Sequence, residues 1–184
     1  MSNNTMLNTK TLAIIATDGF EQSELLDPKN ELEARGAITH VISINGSQTI
    51  RGWNEKDWGE TIKVDKQIEQ TNLEDYDAVI IPGGQINPDI LRTDAKVVDF
   101  IKSANDEIQI KAIAAICHGP WLLAEADIIK GKKVTSYPSI KTDLKNAQAN
   151  WQDGKVVVDG KLITSRNPND IPAFIEAITE QLVS

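Results

Sequence analysis

The chain has 184 residues, and 27 Asp and Glu against 19 Lys and Arg give it a net charge of -8 at pH 7. This length suits one buried core, so we expect a flexible tail over residues 1–10 and a single domain over residues 11–184. The acidic balance argues against nucleic acid or an anionic membrane as a partner, because both attract basic surfaces. One cysteine forms no internal disulfide, and no signal core or membrane-length apolar run occurs, so a cytoplasmic protein is expected.

In chain order, apolar and β-branched residues predict strands at 11–16 and 37–44, with a helix at 23–35 between them that Pro28 could interrupt and that Gly36 ends. Residues 45–59 are polar and contain Trp53 and Trp58, and residues 60–64 alternate as a short strand. We interpret this segment as an excursion at the sheet edge whose tryptophans form a subunit contact. A strand at 78–81 and a helical region from 87 to about 104, broken near 92–94, follow.

Residues 111–116 form an apolar run typical of a strand buried on both faces, and residues 121–126 read as a helix. Further on, we predict a brief strand at 133–136, a helical stretch at 139–147 and a hairpin from 156–159 and 162–164. A closing helix covers residues 169–183. Strands that alternate with helices predict an α/β sandwich with a mainly parallel sheet.

The only cysteine, Cys117, lies where a predicted central strand turns into a helix. A nucleophile at such a turn is exposed at the carboxyl edge of the sheet, an arrangement called a nucleophile elbow. The N–H groups and the dipole at the helix start favour a thiolate, which is the reactive form of the side chain. His118 follows directly and adds an acid-base group. The alternatives are that Cys117 is an inert buried thiol and that His118 is structural.

Three features follow different predicted parallel strands: Glu21, the pair Gly83-Gly84, and Cys117. The carboxyl ends of parallel strands share one edge of a sheet, so these features are expected to lie together there. Two glycines after a strand let the backbone come close to a ligand and direct N–H groups at it. The alternative for Glu21 is an acid that only caps the helix after it.

Several motifs in unbroken order closely resemble the PfpI (intracellular protease) family of the ThiJ/PfpI superfamily, and in particular its stress-protein branch. They are Gly19-Phe20-Glu21, Pro82-Gly83-Gly84, the run from Ala114 to Pro120 with sequence AAICHGP, Thr135-Ser136-Tyr137-Pro138, and Val156-Val157-Val158-Asp159. The resemblance covers the chain from about Leu12 onwards. It implies a three-layer α/β/α sandwich of the flavodoxin-like type, related in fold to class I glutamine amidotransferases.

The resemblance also implies roles for individual residues. Cys117 would be the nucleophile, the carboxyl of Glu21 would face its thiolate, and backbone around Gly83, Gly84, His118 and Gly119 would bind an oxyanion. In peptidase-like members an acidic residue near the double glycine of a neighbouring subunit orients the histidine. The nearest match here is Asp89, so a homodimer or a higher homo-oligomer is expected. The alternative for Asp89 is an ordinary acid at a helix start.

The expected activity is that of a cofactor-free cysteine hydrolase acting on a peptide or a small carbonyl substrate. The family includes peptidases, deglycases that remove early methylglyoxal or glyoxal adducts, glyoxalases and stress chaperones. Glutamine hydrolysis is not expected, because no histidine follows His118 to serve as the base of that reaction. One cysteine and two distant histidines predict no metal site. The alternatives are a redox sensor or stress chaperone that uses the same cysteine, and a binding module with an inert site.

Overall fold

The computed structural model describes residues 6–184. Its strands are β1 (Thr11–Ile15), β2 (Phe20–Glu21), β3 (Ile38–Ser43), β4 (Thr49–Asn54), β5 (Asp57–Lys63), β6 (Lys66–Gln67), β7 (Ala78–Ile81), β8 (Ala112–Ile116), β9 (Lys133–Val134), β10 (Asn150–Trp151), β11 (Val156–Asp159) and β12 (Leu162–Ser165). Its α-helices are α1 (Gln22–Ala34), α2 (Ile86–Leu91), α3 (Ala95–Asp106), α4 (Pro120–Glu125), α5 (Lys141–Asn146) and α6 (Ile171–Val183). None of these helices is long and apolar enough to cross a membrane.

The central sheet has the strand order β11-β12-β8-β7-β1-β3-β6. Every neighbouring pair is parallel except β11 with β12, which form an antiparallel hairpin. The middle strands β7 and β8 are buried along their whole length, because helices cover both faces of the sheet. The carboxyl ends of β1, β7 and β8 therefore lie side by side at one edge.

Alternate residues of each central strand pack into two separate cores. On one face, Leu12 and Ile14 of β1 pack with residues of α1 and α6 such as Leu25 and Phe174. On the other face, Ala13 and Ile15 pack with residues of α3, α4 and α5. The predicted three-layer α/β/α sandwich with a mainly parallel sheet is thereby confirmed.

Several boundaries differ from those predicted. Leu7 is fully buried and its N–H donates to the Arg35 carbonyl at 2.9 Å, so residues 6–10 are held against the domain rather than forming part of a flexible tail. Residues 1–5 of that predicted tail lie outside the described part of the chain. Helix α1 runs without interruption through Pro28, which lies on its buried side.

The predicted excursion at residues 45–59, together with the strand predicted at 60–64, forms an ordered hairpin. Strands β4 and β5 pair antiparallel, and β4 also pairs with the short β2 in a second sheet. Trp53 and Trp58 face each other across this hairpin with ring centroids 5.5 Å apart. The segment predicted as a strand at 133–136 contributes only β9, which pairs with β10 outside the central sheet.

Candidate functional site

Cys117 forms the sharp turn between β8 and α4. Its φ angle is 64°, a left-handed conformation that non-glycine residues adopt only where the surroundings enforce it. Two backbone hydrogen bonds enforce it here: the Cys117 N–H donates to the Ser165 carbonyl at 3.0 Å, and the Tyr137 N–H donates to the Cys117 carbonyl at 2.8 Å. The strand, the strained turn and the helix that starts at Pro120 reproduce the geometry of a nucleophile elbow.

A cleft of about 390 Å³ lies over the turn at the carboxyl edge of the sheet. It contains carboxyl groups, aromatic rings and glycine backbone, and its lining residues are Gly19, Glu21, Glu24, Trp53, Glu55, Gly84, Gln85, Ile86, Cys117, His118, Tyr137 and Pro168. Cys117 is only 6% exposed, so its sulfur lies at the bottom of the cleft. A larger cavity between α1 and α6 contains neither this cysteine nor His118.

The carboxyl group beside the sulfur belongs to Glu24, not to Glu21 as predicted. Glu24 is completely buried, and its Oε2 accepts a hydrogen bond from the Gly83 N–H at 2.8 Å. Burial and, second, the negative charge of Glu21 raise the pKa of Glu24 to about 8. The carboxyl is therefore protonated at neutral pH and can act as a hydrogen-bond donor.

Glu21 lies farther out, in the wall of the cleft, and is only partly buried. Burial and, second, the neighbouring Glu55 raise its pKa. Sequence reasoning missed Glu24 because it assigned the acid after the first strand to Glu21. The available signal was that residue 24 shares one side of the helix with Leu25, Pro28 and Leu32, all of which are buried.

His118 lies next to the sulfur and has a partner on each ring nitrogen. Its Nδ1 is 3.2 Å from Cys117 Sγ, and its Nε2 is 3.1 Å from Ser139 Oγ. The ring stacks on Tyr137 at 4.8 Å between centroids and meets the edge of Trp121 at 5.2 Å. Burial lowers the pKa of His118, so the ring is neutral near pH 7 and Nδ1 can accept a proton from sulfur.

The sequence predicts that Cys117 is a thiolate, but its surroundings in the structure favour the protonated thiol. Burial, first, and the carboxylate form of Glu24, second, raise the pKa of Cys117, while the N–H groups of Gly84 and His118 act in the opposite direction. The Glu24 carboxylate does not repel the thiolate while Glu24 holds its proton, but burial raises the pKa of Cys117 at every pH. The resting site therefore holds a thiol next to a neutral imidazole.

The glycines predicted around the site have distinct functions. The Gly83 N–H is occupied by Glu24, and the Gly119 N–H donates to the Ile116 carbonyl at 2.9 Å, so neither can bind an oxyanion. The N–H groups of Gly84 and His118, in contrast, are directed at the sulfur. Gly84 has a φ of +84°, which favours glycine, and a Cβ there would come within 2.7 Å of the Glu21 nitrogen.

The glycine loop is fixed by Asn87, a residue that sequence reasoning did not single out. Its side chain is completely buried, and Nδ2 donates to the carbonyls of Pro82 at 3.0 Å and Gly83 at 3.3 Å. Its Oδ1 accepts from the Thr17 N–H at 2.8 Å. Asn87 therefore ties the loop after β7 to the segment after β1, which brings two parts of the cleft wall together.

Asp89 does not meet His118 within one chain. It lies on α2 with its side chain exposed, and it is not among the residues that line the cleft. The position that an orienting acid would take, next to Nε2 of His118, is occupied by Ser139 from the same chain. A contact between Asp89 and His118 therefore requires a neighbouring subunit.

Acidic, histidine and cysteine side chains do not gather into a metal-binding group. Within residues 6–184, no cluster of three or more such side chains has the arrangement needed to hold an ion. The chemistry available in the cleft is that of a thiol, an imidazole, a protonated carboxyl and two backbone N–H groups.

Comparison with known proteins places these features in a family. The model of the DJ-1/PfpI family matches residues 10–181. The putative cysteine protease YraA of Bacillus subtilis (strain 168) is 39% identical over 166 residues, which cover 90% of this chain and 94% of that protein. Protein/nucleic acid deglycase 2 of Escherichia coli (strain K12) is 39% identical over 171 residues, which also cover 90% of this chain and 94% of that protein.

A solved structure has the same fold. It is a two-domain protein from Anabaena variabilis with DJ-1/ThiJ/PfpI-like and ferritin-like domains, and it superposes with a TM-score of 0.87 at 35% identity. The match covers 94% of this chain and 48% of the two-domain protein. The sequence motifs, the sheet topology and the family match agree, and the chain therefore belongs to the DJ-1/PfpI family.

Proposed function

We propose that this protein is a cysteine-dependent hydrolase that cleaves carbon–nitrogen bonds beside a carbonyl group, in peptides or in glycated amines. The observation that carries the proposal is the contact of 3.2 Å between Cys117 Sγ and His118 Nδ1 at the bottom of an open cleft. Relatives named as a cysteine protease and as deglycases support the same class of reaction.

The proposed first step is attack by sulfur on a carbonyl carbon. As the carbon–sulfur bond forms, Nδ1 of His118 takes the thiol proton, and the carbonyl oxygen becomes an oxyanion. The N–H groups of Gly84 and His118 are the available donors for this oxygen. Each such donor lowers the activation barrier by on the order of 3 kcal/mol. A base is needed because burial keeps Cys117 in the thiol form.

In the second step the oxyanion collapses and the carbon–nitrogen bond breaks. The nitrogen takes the proton from His118 and leaves as an amine, and water then hydrolyses the thioester to a carboxylic acid and the free thiol. In a glycated amine the carbon attached to nitrogen carries a hydroxyl group. Sulfur replaces the nitrogen at that carbon, and the amine again leaves with the proton from His118, so a hemithioacetal remains on Cys117. The carbon–sulfur bond then breaks as the hydroxyl proton returns to sulfur through His118, which releases the aldehyde and restores the thiol.

The direct test compares wild type with Cys117→Ala on a panel of fluorogenic peptides, methylglyoxal adducts of Nα-acetyl-lysine, and methylglyoxal itself. We expect kcat/KM of the wild type to exceed that of the variant by more than about 10³ on at least one class. Thermal unfolding of both proteins checks that the variant is folded. Equal turnover by folded Cys117→Ala would refute the proposal.

A redox sensor is the second candidate, because the cleft leaves the sulfur open to a small oxidant. The same panel separates the two functions. Oxidation of Cys117 by dilute peroxide, without turnover of any substrate, would favour the sensor. Turnover that disappears with Cys117 favours the hydrolase.

A further inference from the structure

The mouth of the cleft is strongly acidic. Glu21 and Glu55 both line it, and among residues 6–184 no lysine or arginine does. Neither carboxylate takes part in an ion pair among the residues that the structure describes, although several other glutamates do. Burial and the charge of Glu55 raise the pKa of Glu21, so a cation placed between the two groups would relieve their repulsion.

A second observation at the bottom of the same cleft also indicates a ligand. Glu24 is completely buried, and its Oε1 has no well-formed hydrogen bond within residues 6–184. An unsatisfied buried carboxyl oxygen costs free energy that a bound polar group can recover. It lies beside Cys117. Because Oε2 accepts from Gly83, the proton of the neutral carboxyl is on Oε1, so a carbonyl or hydroxyl oxygen next to the reacting carbon of a substrate would be positioned to accept from it.

Aromatic rings complete the mouth. Trp53 and Tyr137 line the cleft together with the carboxylates, and aromatic rings attract cations over their faces. The β4–β5 hairpin delivers both Trp53 and Glu55, and the Trp53 Nε1 donates to the Glu55 carbonyl at 3.1 Å. Glu55 itself has a φ of 56°, so the turn at the hairpin tip is fixed in an unusual conformation.

We propose that Glu21, Glu55 and Trp53 form a cation subsite, so that this protein selects amine substrates carrying a positive charge near the reacting carbon and disfavours anionic ones. The proposal rests on the proposed function and specifies its substrate class. Lysine-rich and arginine-rich peptide segments fit such a mouth, whereas adducts on nucleotides bring phosphate charges of the wrong sign.

The test uses three peptides with the same reacting group and different charge: acetyl-Gly-Lys-Arg-amide, acetyl-Gly-Lys-Gln-amide and acetyl-Gly-Lys-Glu-amide, each with methylglyoxal added to the lysine. At low salt we expect kcat/KM for the Arg peptide to exceed that for the Glu peptide about tenfold. Added salt should reduce this ratio, since screening weakens exposed charges. The methylglyoxal adduct of guanosine monophosphate should be turned over more slowly than the Gln peptide.

The variants locate the effect. In Glu21→Gln/Glu55→Gln the Arg-to-Glu ratio should fall to about twofold or less. The control Glu74→Gln/Glu180→Gln removes the same charge at exposed sites outside the cleft, and it should keep the wild-type ratio. An equal ratio in the wild type and in the cleft variant would overturn the proposal, as would equal turnover of the Arg and Glu peptides.

Measurements of peptide binding test the cation subsite independently of the proposed hydrolase activity. The dissociation constants of the unmodified Arg and Glu peptides, followed by tryptophan fluorescence in Cys117→Ala, report the subsite without chemistry. If the wild type turns over no substrate but the Arg peptide still binds about tenfold more tightly, and Glu21→Gln/Glu55→Gln abolishes that preference, the subsite stands and only the hydrolase fails. If binding shows no charge preference, the subsite is refuted.

Discussion

At the scale of single residues, the site depends on the proton that the buried carboxyl of Glu24 holds. Glu24 keeps its proton at neutral pH because burial raises its pKa to about 8, and the same burial raises the pKa of Cys117. Two groups that would repel each other as anions can share the bottom of the cleft because both are neutral. In the proposed mechanism, His118 supplies the base that the buried thiol needs.

The raised pKa of Glu24 predicts how stability depends on pH. The folded protein holds a proton that the unfolded chain releases above about pH 4.5, so the free energy of unfolding falls as pH rises from about 4.5 to about 8. The full loss is on the order of 5 kcal/mol. In Glu24→Gln this loss should be absent, so the variant gains stability relative to wild type between pH 5 and pH 8.

Urea unfolding at pH 5 and pH 8 measures this effect. Glu31→Gln is the matched control, because Glu31 lies on the same helix with its side chain exposed. The control should follow the wild-type pH dependence. Parallel curves for wild type and Glu24→Gln would show that Glu24 does not hold a proton in the folded state.

We expect Ser139 to position His118. With Nδ1 as the base, Nε2 carries the ring proton and donates to Ser139 Oγ, which stabilises the charged ring. Ser139→Ala should lower the pKa of His118 further, by about half to one pH unit, and reduce kcat/KM about threefold to tenfold. Ser139→Thr should restore both. The pKa is measured by NMR titration, with His40, the only other histidine, as internal reference.

The sequence also predicts that Asp89 of a neighbouring subunit orients His118, and this prediction competes with the role we expect for Ser139. Because Ser139 already contacts Nε2 within the chain, Ser139→Ala should reduce kcat/KM more than Asp89→Asn does. The two variants are compared at the same protein concentration in the assembled state. The opposite order would indicate that the partner's acid, rather than Ser139, orients the ring.

At the scale of elements, the site is assembled from three loops that need close backbone contact. The loop after β7 packs so tightly against α1 and the cysteine turn that a Cβ on Gly83 would come within 2.6 Å of the Cys117 Cβ. The start of α4 packs equally closely, since a Cβ on Gly119 would lie 2.8 Å from the Ile81 carbonyl oxygen. Glycine is required at both positions for lack of space, not for an unusual φ.

Gly83→Ala should therefore disturb both stability and the site. The added methyl group collides with backbone and with Glu24, and such overpacking costs about 1–3 kcal/mol. Gly154→Ala is the control, because its Cβ would come no closer than 3.3 Å to the Val157 methyl group and 3.6 Å to the Val156 carbonyl oxygen. The midpoint of thermal unfolding and kcat/KM should both fall in Gly83→Ala and change little in the control. A fully stable, fully active Gly83→Ala would contradict the close contact.

At the scale of the whole molecule, the β4–β5 hairpin projects a large apolar side chain. Trp58 is 40% exposed at this hairpin, and we expect it to contact a second copy of the chain. Light scattering should show a homodimer or a larger homo-oligomer. Trp58→Ser should shift the equilibrium between oligomer and monomer toward the monomer. Ile108→Ser is the control, since Ile108 is 86% exposed on a different part of the surface. A wild-type monomer at micromolar concentration would contradict this prediction.

The sequence by itself determined the sheet and the position of the cysteine. Short apolar runs such as residues 78–81 and 111–116 are typical of strands covered on both faces, and parallel strands bring their carboxyl ends together. From this alone, Cys117, His118 and the Gly83-Gly84 loop could be placed at one edge. Local pattern and chain direction are sufficient for such statements.

Tertiary structure alone decided which side chains meet the sulfur. The choice of Glu24 over Glu21 depends on how α1 is rotated against the sheet, and the partnership of His118 with Ser139 depends on a loop 21 residues farther along the chain. The hairpin that brings Trp53 and Glu55 to the cleft is fixed by pairing of β4 with β2. These contacts join residues far apart in the chain, and the pKa values of Glu24 and Cys117 follow from burial, which exists only once the layers have packed.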